Sequence, residues 1–175
     1  MNDFTAQSCP PNMVPHSVVR EYRVDRPLAA TWWWLMQPET FTKGQIWPWR
    51  VEFIDTPLPD GTIARGFDVG TLNAHHGPFM NFCGVIAEVQ EGDDACTRRL
   101  DYSYGAFAIG FRLIRPTCLT VNCKAESGTA TLVEMRVDSV VRPWLAGPWT
   151  IAQKVFWKGF GWALRRYVPE SIPAS

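Results

Sequence analysis

The sequence predicts one α+β domain: an antiparallel sheet of about seven strands, two short helices after the first strand, and one long helix at the C-terminal end. Three observations predict it. Between residues 49 and 142 apolar residues recur with period two, the signature of strands with one buried face. The strand-like runs are punctuated by PDG, GPF, EGDD and SGT, short turns that join neighbours as an antiparallel meander. After Pro143 the period lengthens to that of a helix, and nowhere do strands alternate with helices as a parallel sheet would require.

The elements follow in order. SVVREYRVD, ending at Asp25, mixes β-branched and aromatic residues with charges at near alternation and reads as a strand. Pro27 suits the first position of a helix, where its missing N–H has no helical partner, so RPLAATWWWLM turns helical until Pro38 stops it. PETFTKG makes a short second helix before Gly44. WRVEFID then sets Trp49, Val51 and Phe53 on one face, and further strands are expected over 62–75, 79–90, 97–104, 111–126 (with a break at Pro116) and 129–142. From about Trp149 to Tyr167 the chain forms a helix of roughly 30 Å. Lys154, Lys158, Gly161 and Arg165 make a polar stripe on it, while Trp149, Ala152, Phe156, Phe160, Ala163 and Tyr167 share another face. The domain spans 16–168, with a loose proline-rich segment, 1–15, before it and a tail, 169–175, after it.

Composition narrows the partners. Lys plus Arg number 17 and Asp plus Glu 17, so no net field gathers nucleic acid or an anionic membrane. The pairs in RRL (98–100) and at Arg165-Arg166 lack the phosphate loop or aromatic platform of a nucleic-acid site. The five cysteines, at 9, 83, 96, 118 and 123, form no CxxC pair and leave one over, which argues for a reducing compartment and a cytoplasmic protein. The first residues lack the basic start and apolar core of a signal peptide, and no run reaches the ~18 apolar residues of a membrane span.

Val24, Pro27, Trp32, Leu35, Pro38 and Glu39, followed by WRVEF, carry a resemblance. They are similar to the opening of START-like (SRPBCC) superfamily members, in which an apolar residue and a Pro precede a Val-Trp pair, an aliphatic residue and Asp-Pro-Glu. Ala29 and Thr31 replace the usual Glu and Val. The resemblance covers most of the chain in element order and residues 24–53 in motif. It implies a helix-grip fold, a curved sheet wrapped around the long C-terminal helix with an internal apolar cavity between them. It also implies a class holding lipid carriers, polyketide cyclases, hormone receptors and oxygenase domains, so function must come from the site.

If Trp49, Phe53, Phe67 and Val69 mark the concave face, the same parity carries Thr71, Asn73 and His75 inward, and Leu100, Tyr102 and Tyr104 follow on the strand at 97–104. These few polar groups in an apolar cavity would orient a ligand, with Met135 and the helix residues Phe156, Phe160, Ala163 and Tyr167 lining it. The plain alternative is that these aromatics are core. Gly159 and Gly161 each cost about 1 kcal/mol relative to Ala in a helix, which points to a packing or space requirement. His75, with Tyr102 and Tyr104, is the candidate catalytic group, a general base whose rate would rise through about pH 6–7.

No metal is expected: His75 and His76 point to opposite faces, and no further ligand has supporting spacing near Cys83. No other cofactor is expected either. Glu134, Arg136 and Asp138 form a solvated outer row, Cys118 and Cys123 are packing residues, and one Trp of Trp32-Trp33-Trp34 stays near the surface. The reading is a carrier of a hydrophobic or aromatic small molecule, lipid or polyketide-like. The alternatives are a cyclase, dehydratase or isomerase using the same cavity, or a module whose exposed aromatics bind a protein or membrane.

Overall fold

The computed structural model describes residues 6–42 and 48–173, so Gly44, the expected stop of the second helix, lies outside the described residues. Strand β1 (Val14–Val24) leads into α1 (Leu28–Leu35) and α2 (Glu39–Thr42). Strand β2 (Arg50–Ile54) follows, then a small hairpin of β3 (Thr56–Pro57) and β4 (Ile63–Ala64). The meander β5 (Leu72–Gly77), β6 (Met80–Gln90), β7 (Ala95–Phe107), β8 (Ile114–Ser127) and β9 (Ala130–Val141) comes next. A 3-10 turn, Pro143–Leu145, opens into α3 (Ala146–Tyr167). All neighbours pair antiparallel in one seven-stranded sheet of order β1-β9-β8-β7-β6-β5-β2, wrapped around α3.

Three departures from the expected elements matter for the site. The strand expected over 62–75 is two pieces, because Gly66 and Gly70 adopt positive φ and Asp68 closes a turn on Arg65. Phe67 and Val69 therefore sit on a loop. Pro116 does not break β8: it occupies a register shift where a missing N–H is tolerated. At the other end, β1 already begins at Val14, Met13 is buried, and the Gln7 side chain donates to the Gly105 and Pro116 carbonyls where β7 and β8 part. Part of the proline-rich start is thus built into the fold.

The core has two centres. One gathers Tyr22, Trp32, Leu35, Val121, Val133 and Leu164 between α1, α3 and the β1-β9-β8 side. The other gathers Phe67, Phe82, Ile86, Leu100 and Tyr102 on the β5-β6-β7 side, and Leu119 packs against both. Helix α3 buries Gln153, Gly161 and Leu164, with Trp157 and Phe160 half-buried, so its inner face keeps Phe160 from the expected set but is turned away from part of it. Gly161, read as part of a polar stripe, lies flat on Tyr22: a Cβ there would stand 2.4 Å from the ring, whose hydroxyl donates to the Trp157 carbonyl at 2.7 Å. Ala152, Phe156 and Tyr167, assigned to the inner face, point to solvent. Gly159 faces open space and marks no cavity.

Candidate ligand site on the concave face

The inward side chains of β5 are Thr71, just before it, then Asn73 and His75. Thr71 and Asn73 are fully buried. The Asn73 amide donates to the Glu52 carbonyl at 3.4 Å, but its oxygen and the Thr71 hydroxyl have no partner among the described residues. Such orphaned acceptors are uncommon in a native interior and point to a ligand or water that completes them.

His75 stacks on Phe82 at 4.5 Å and meets Tyr102 edge-on at 5.6 Å, with its Nε2 3.4 Å from the Tyr102 hydroxyl. In the Nδ1–H tautomer the hydroxyl donates to Nε2. Phe82 continues to Phe107 at 4.9 Å and Phe107 to Trp149 of α3 at 4.8 Å, so an aromatic chain crosses from sheet to helix. The Trp149 indole N–H is another buried donor with no partner among the described residues. Burial, with a smaller push from His76, lowers the His75 pKa to about 4, and burial raises that of the Tyr102 hydroxyl. At neutral pH the pair is an uncharged imidazole beside an uncharged phenol.

A β-bulge sets this geometry. Tyr102 pairs with Gly84 and Tyr104 with Cys83, so Ser103 is the extra residue and parity inverts behind it. Tyr102 points in, Tyr104 turns out and is 59% exposed, and Phe107 turns in. Two glycines make the bulge possible. A Cβ on Gly84 would stand 2.2 Å from the Asp101 carbonyl oxygen, and one on Gly105, at φ +101°, 2.1 Å from that of Asn81.

Arg98, two residues before Leu100 on the inward parity, is a buried cation missed by the sequence reading. Its guanidinium donates to the Leu35 carbonyl at the end of α1 at 2.6 Å and lies 3.6 Å above the Phe67 ring. Desolvation lowers its pKa to about 9, which leaves it charged at neutral pH. The signal was present, because the parity that turns Leu100 and Tyr102 inward turns Arg98 inward too.

The other candidates divide. Phe53 packs edge-on against Phe67 at 4.7 Å, in the same centre as Tyr102. Met135 and Phe160 belong to the opposite centre, and Ala163 is half-buried. Trp49, Val69, Tyr104, Phe156 and Tyr167 are exposed, which corrects the expectation that they face inward. Trp49 covers Gly77 instead, and Val69 forms the rim of a groove of about 420 Å³ with Met36, Phe67, Val89 and Glu91. A second cleft, about 260 Å³ beside Gln7, Asn81, Gly105 and Arg112, lies where β7 and β8 part. Neither space includes His75 or Tyr102, whose surroundings are filled by aromatic rings. Among the described residues no cluster of His, Cys, Asp and Glu could hold a metal. The Cys118 and Cys123 thiols are pushed up by burial, to about 11 and about 12.

No family model matches the sequence, and no curated protein matches it. Solved structures do match the fold. Norcoclaurine synthase from Thalictrum flavum, solved with dopamine and hydroxybenzaldehyde, superposes with a TM-score of 0.62 at 14% identity, over 93% of this chain and 91% of that one. A START superfamily protein from Mycobacterium smegmatis gives 0.55 at 11% identity, over 87% and 97%. Major latex-like protein 151 from Panax ginseng gives 0.55 at 12%, over 89% and 99%. The chain therefore has the helix-grip fold shared by these proteins.

Proposed function

We propose that the protein takes an aromatic or hydrophobic small molecule into the concave face between sheet and α3 and processes it by side-chain acid–base chemistry, as a cyclase, dehydratase or isomerase does. The observation that carries this reading is the pair of half-buried His75 and buried Tyr102, on the same face as Asn73 and Thr71, whose oxygens lack partners among the described residues. The aromatic walls suit a flat apolar substrate, and the ligands of the norcoclaurine synthase complex are aromatic. A carbonyl placed between the two heads would accept the Tyr102 hydrogen bond at oxygen while His75 Nε2 takes the adjacent carbon-bound proton. With a β,γ-unsaturated substrate, loss of this proton gives a dienolate, and the imidazolium, a strong acid in this setting, returns the proton to its γ-carbon as the double bond shifts into conjugation with the carbonyl. The ligand would pass the groove at Met36 and Phe67, with Phe53 and Phe67 yielding. The free state of all five cysteines supports a reducing, cytoplasmic setting.

One observation favours a carrier. An imidazole with a pKa near 4 is a weak base, so the same pair serves equally as a hydrogen-bonding clamp. Native mass spectrometry of freshly purified protein, looking for a copurified aromatic ligand, followed by turnover of that compound and its analogues, tests both. An enzyme shows turnover lost in His75→Ala with binding retained, and a rate rising through about pH 4 rather than 6–7. A carrier shows affinity weakened by roughly 1–3 kcal/mol in Tyr102→Phe and no turnover. Unchanged binding and turnover in both variants would remove the pair from the site.

A further inference from the structure

We infer that the outer face of α3 and the adjoining loop tips dock the protein on the surface of an anionic lipid bilayer. The chain as a whole is neutral, yet its charges are segregated. Residues 102–123 and 139–169 hold Arg112, Arg115, Arg142, Lys154, Lys158, Arg165 and Arg166 and not one Asp or Glu. Helix α3 lies wholly within the second stretch, with Lys154, Lys158, Arg165 and Arg166 all exposed.

The same surface exposes large apolar groups. Along α3, Ile151, Val155 and Trp162 recur at i, i+4, i+11, and Phe156, 69% exposed, lies on the adjacent stripe. The helix N-terminal end adjoins two more apolar tips. The Ala108 N–H donates to the Phe79 carbonyl, joining the β5–β6 turn to the β7–β8 loop, and the Arg142 N–H donates to Leu113 at 3.1 Å, joining that loop to the turn that bears exposed Trp144. Phe79 and Phe111, at the two tips, are 79% and 77% exposed. A surface apolar on this scale marks an interaction site.

Charge decides the occupant. A second copy meeting this face across a twofold axis would set cations against cations. Aromatic and aliphatic side chains interleaved with Lys and Arg, and no acid, match instead the boundary between anionic headgroups and acyl chains, where Trp and Phe partition and each cation adds attraction. Among the described residues no helix is long and apolar enough to cross a membrane, so α3 would lie on the surface.

Cosedimentation of the full chain with vesicles tests this, using phosphatidylcholine alone or an equimolar mixture with phosphatidylserine. The expected result is partition into the mixed vesicles, little into the neutral ones, and release by salt. Lys154→Glu with Lys158→Glu should reduce partition by more than about twentyfold. Val155→Ser with Phe156→Ser should reduce it by about tenfold or more. These side chains are exposed, so circular dichroism should not change. Equal partition into both vesicle types, no partition into either, or indifference to both double variants overturns the inference. So does a dimer by light scattering that the variants dissolve, since the face would then join two copies.

Discussion

The two centres of the interior are built on opposite rules. Around Tyr22, Trp32 and Leu164 the aromatic heads are tied: Tyr22 to the Trp157 carbonyl and the Trp32 indole to Glu91, each at 2.7 Å. Around His75 and Tyr102 the rings pack as closely, but the Asn73 oxygen, the Thr71 hydroxyl and the Trp149 indole N–H have no partner among the described residues, and the one side-chain hydrogen bond between His75 and Tyr102 is long at 3.4 Å. The first centre fastens α1 and α3 to the sheet. The second holds groups in reserve, which is where a protein spends stability on recognition. Helix α3 is thus anchored through Gly161 and Leu164, at the end away from the candidate chemistry.

The largest effect should come from cutting that anchor. Leu164 is fully buried, so Leu164→Ala removes packed methyl groups and leaves a cavity, at a cost of about 2–5 kcal/mol. Urea unfolding should show it as a lower midpoint with unchanged slope. A cost below about 1 kcal/mol would mean that α3 is not anchored there, and the contrast between the two centres would fail.

The second effect isolates the other centre. Burial lowers the His75 pKa from 6.5 to about 4, so between these values the unfolded chain holds the extra proton. Stability from this group is therefore complete above about pH 6.5 and declines as pH falls toward 4, by at most about 3 kcal/mol. His16, whose pKa burial also lowers, adds to the loss in the same direction. Unfolding free energies at pH 7 and pH 5 in wild type and His75→Gln measure the term. The variant should lose less stability between the two, and equal losses would place His75 in water.

How much of this could be read from the residues depends on what breaks their periodicity. The order of elements was legible because turn residues and the change from period two to a helical period survive in any local window. The inward orientation of Asn73, His75 and Tyr102 followed from parity alone. Parity fails wherever one residue is inserted: Ser103 turns Tyr104 outward, and the loop at Gly66–Gly70 removes Val69 from any strand. Helix α3 failed differently. Phe156, Trp157, Phe160, Trp162 and Tyr167 surround most of its circumference, so hydrophobicity does not select the inner face, and the contact with Tyr22 is made by a residue with no side chain.

The contact between Gly161 and Tyr22 gives the smallest effect and the finest test. Gly159 and Gly161 stand two residues apart in the same helix, and the structure gives them opposite signs. At Gly159 a Cβ meets nothing within 4 Å, so Gly159→Ala should stabilise by about 0.5–1 kcal/mol through helix propensity. At Gly161 the same methyl gains the same propensity but stands 2.4 Å from a Tyr22 ring held at its hydroxyl. Ring and helix must part, and overpacking of this kind costs roughly 1–3 kcal/mol, which outweighs the gain. Thermal melts of the two variants should therefore move in opposite directions. Releasing the ring by Tyr22→Leu should erase most of the Gly161→Ala penalty, because the clash and the tether share one side chain. If both alanines stabilise, α3 does not lie flat on β1, and the anchored end of the molecule is no more tightly built than the end that carries the candidate site.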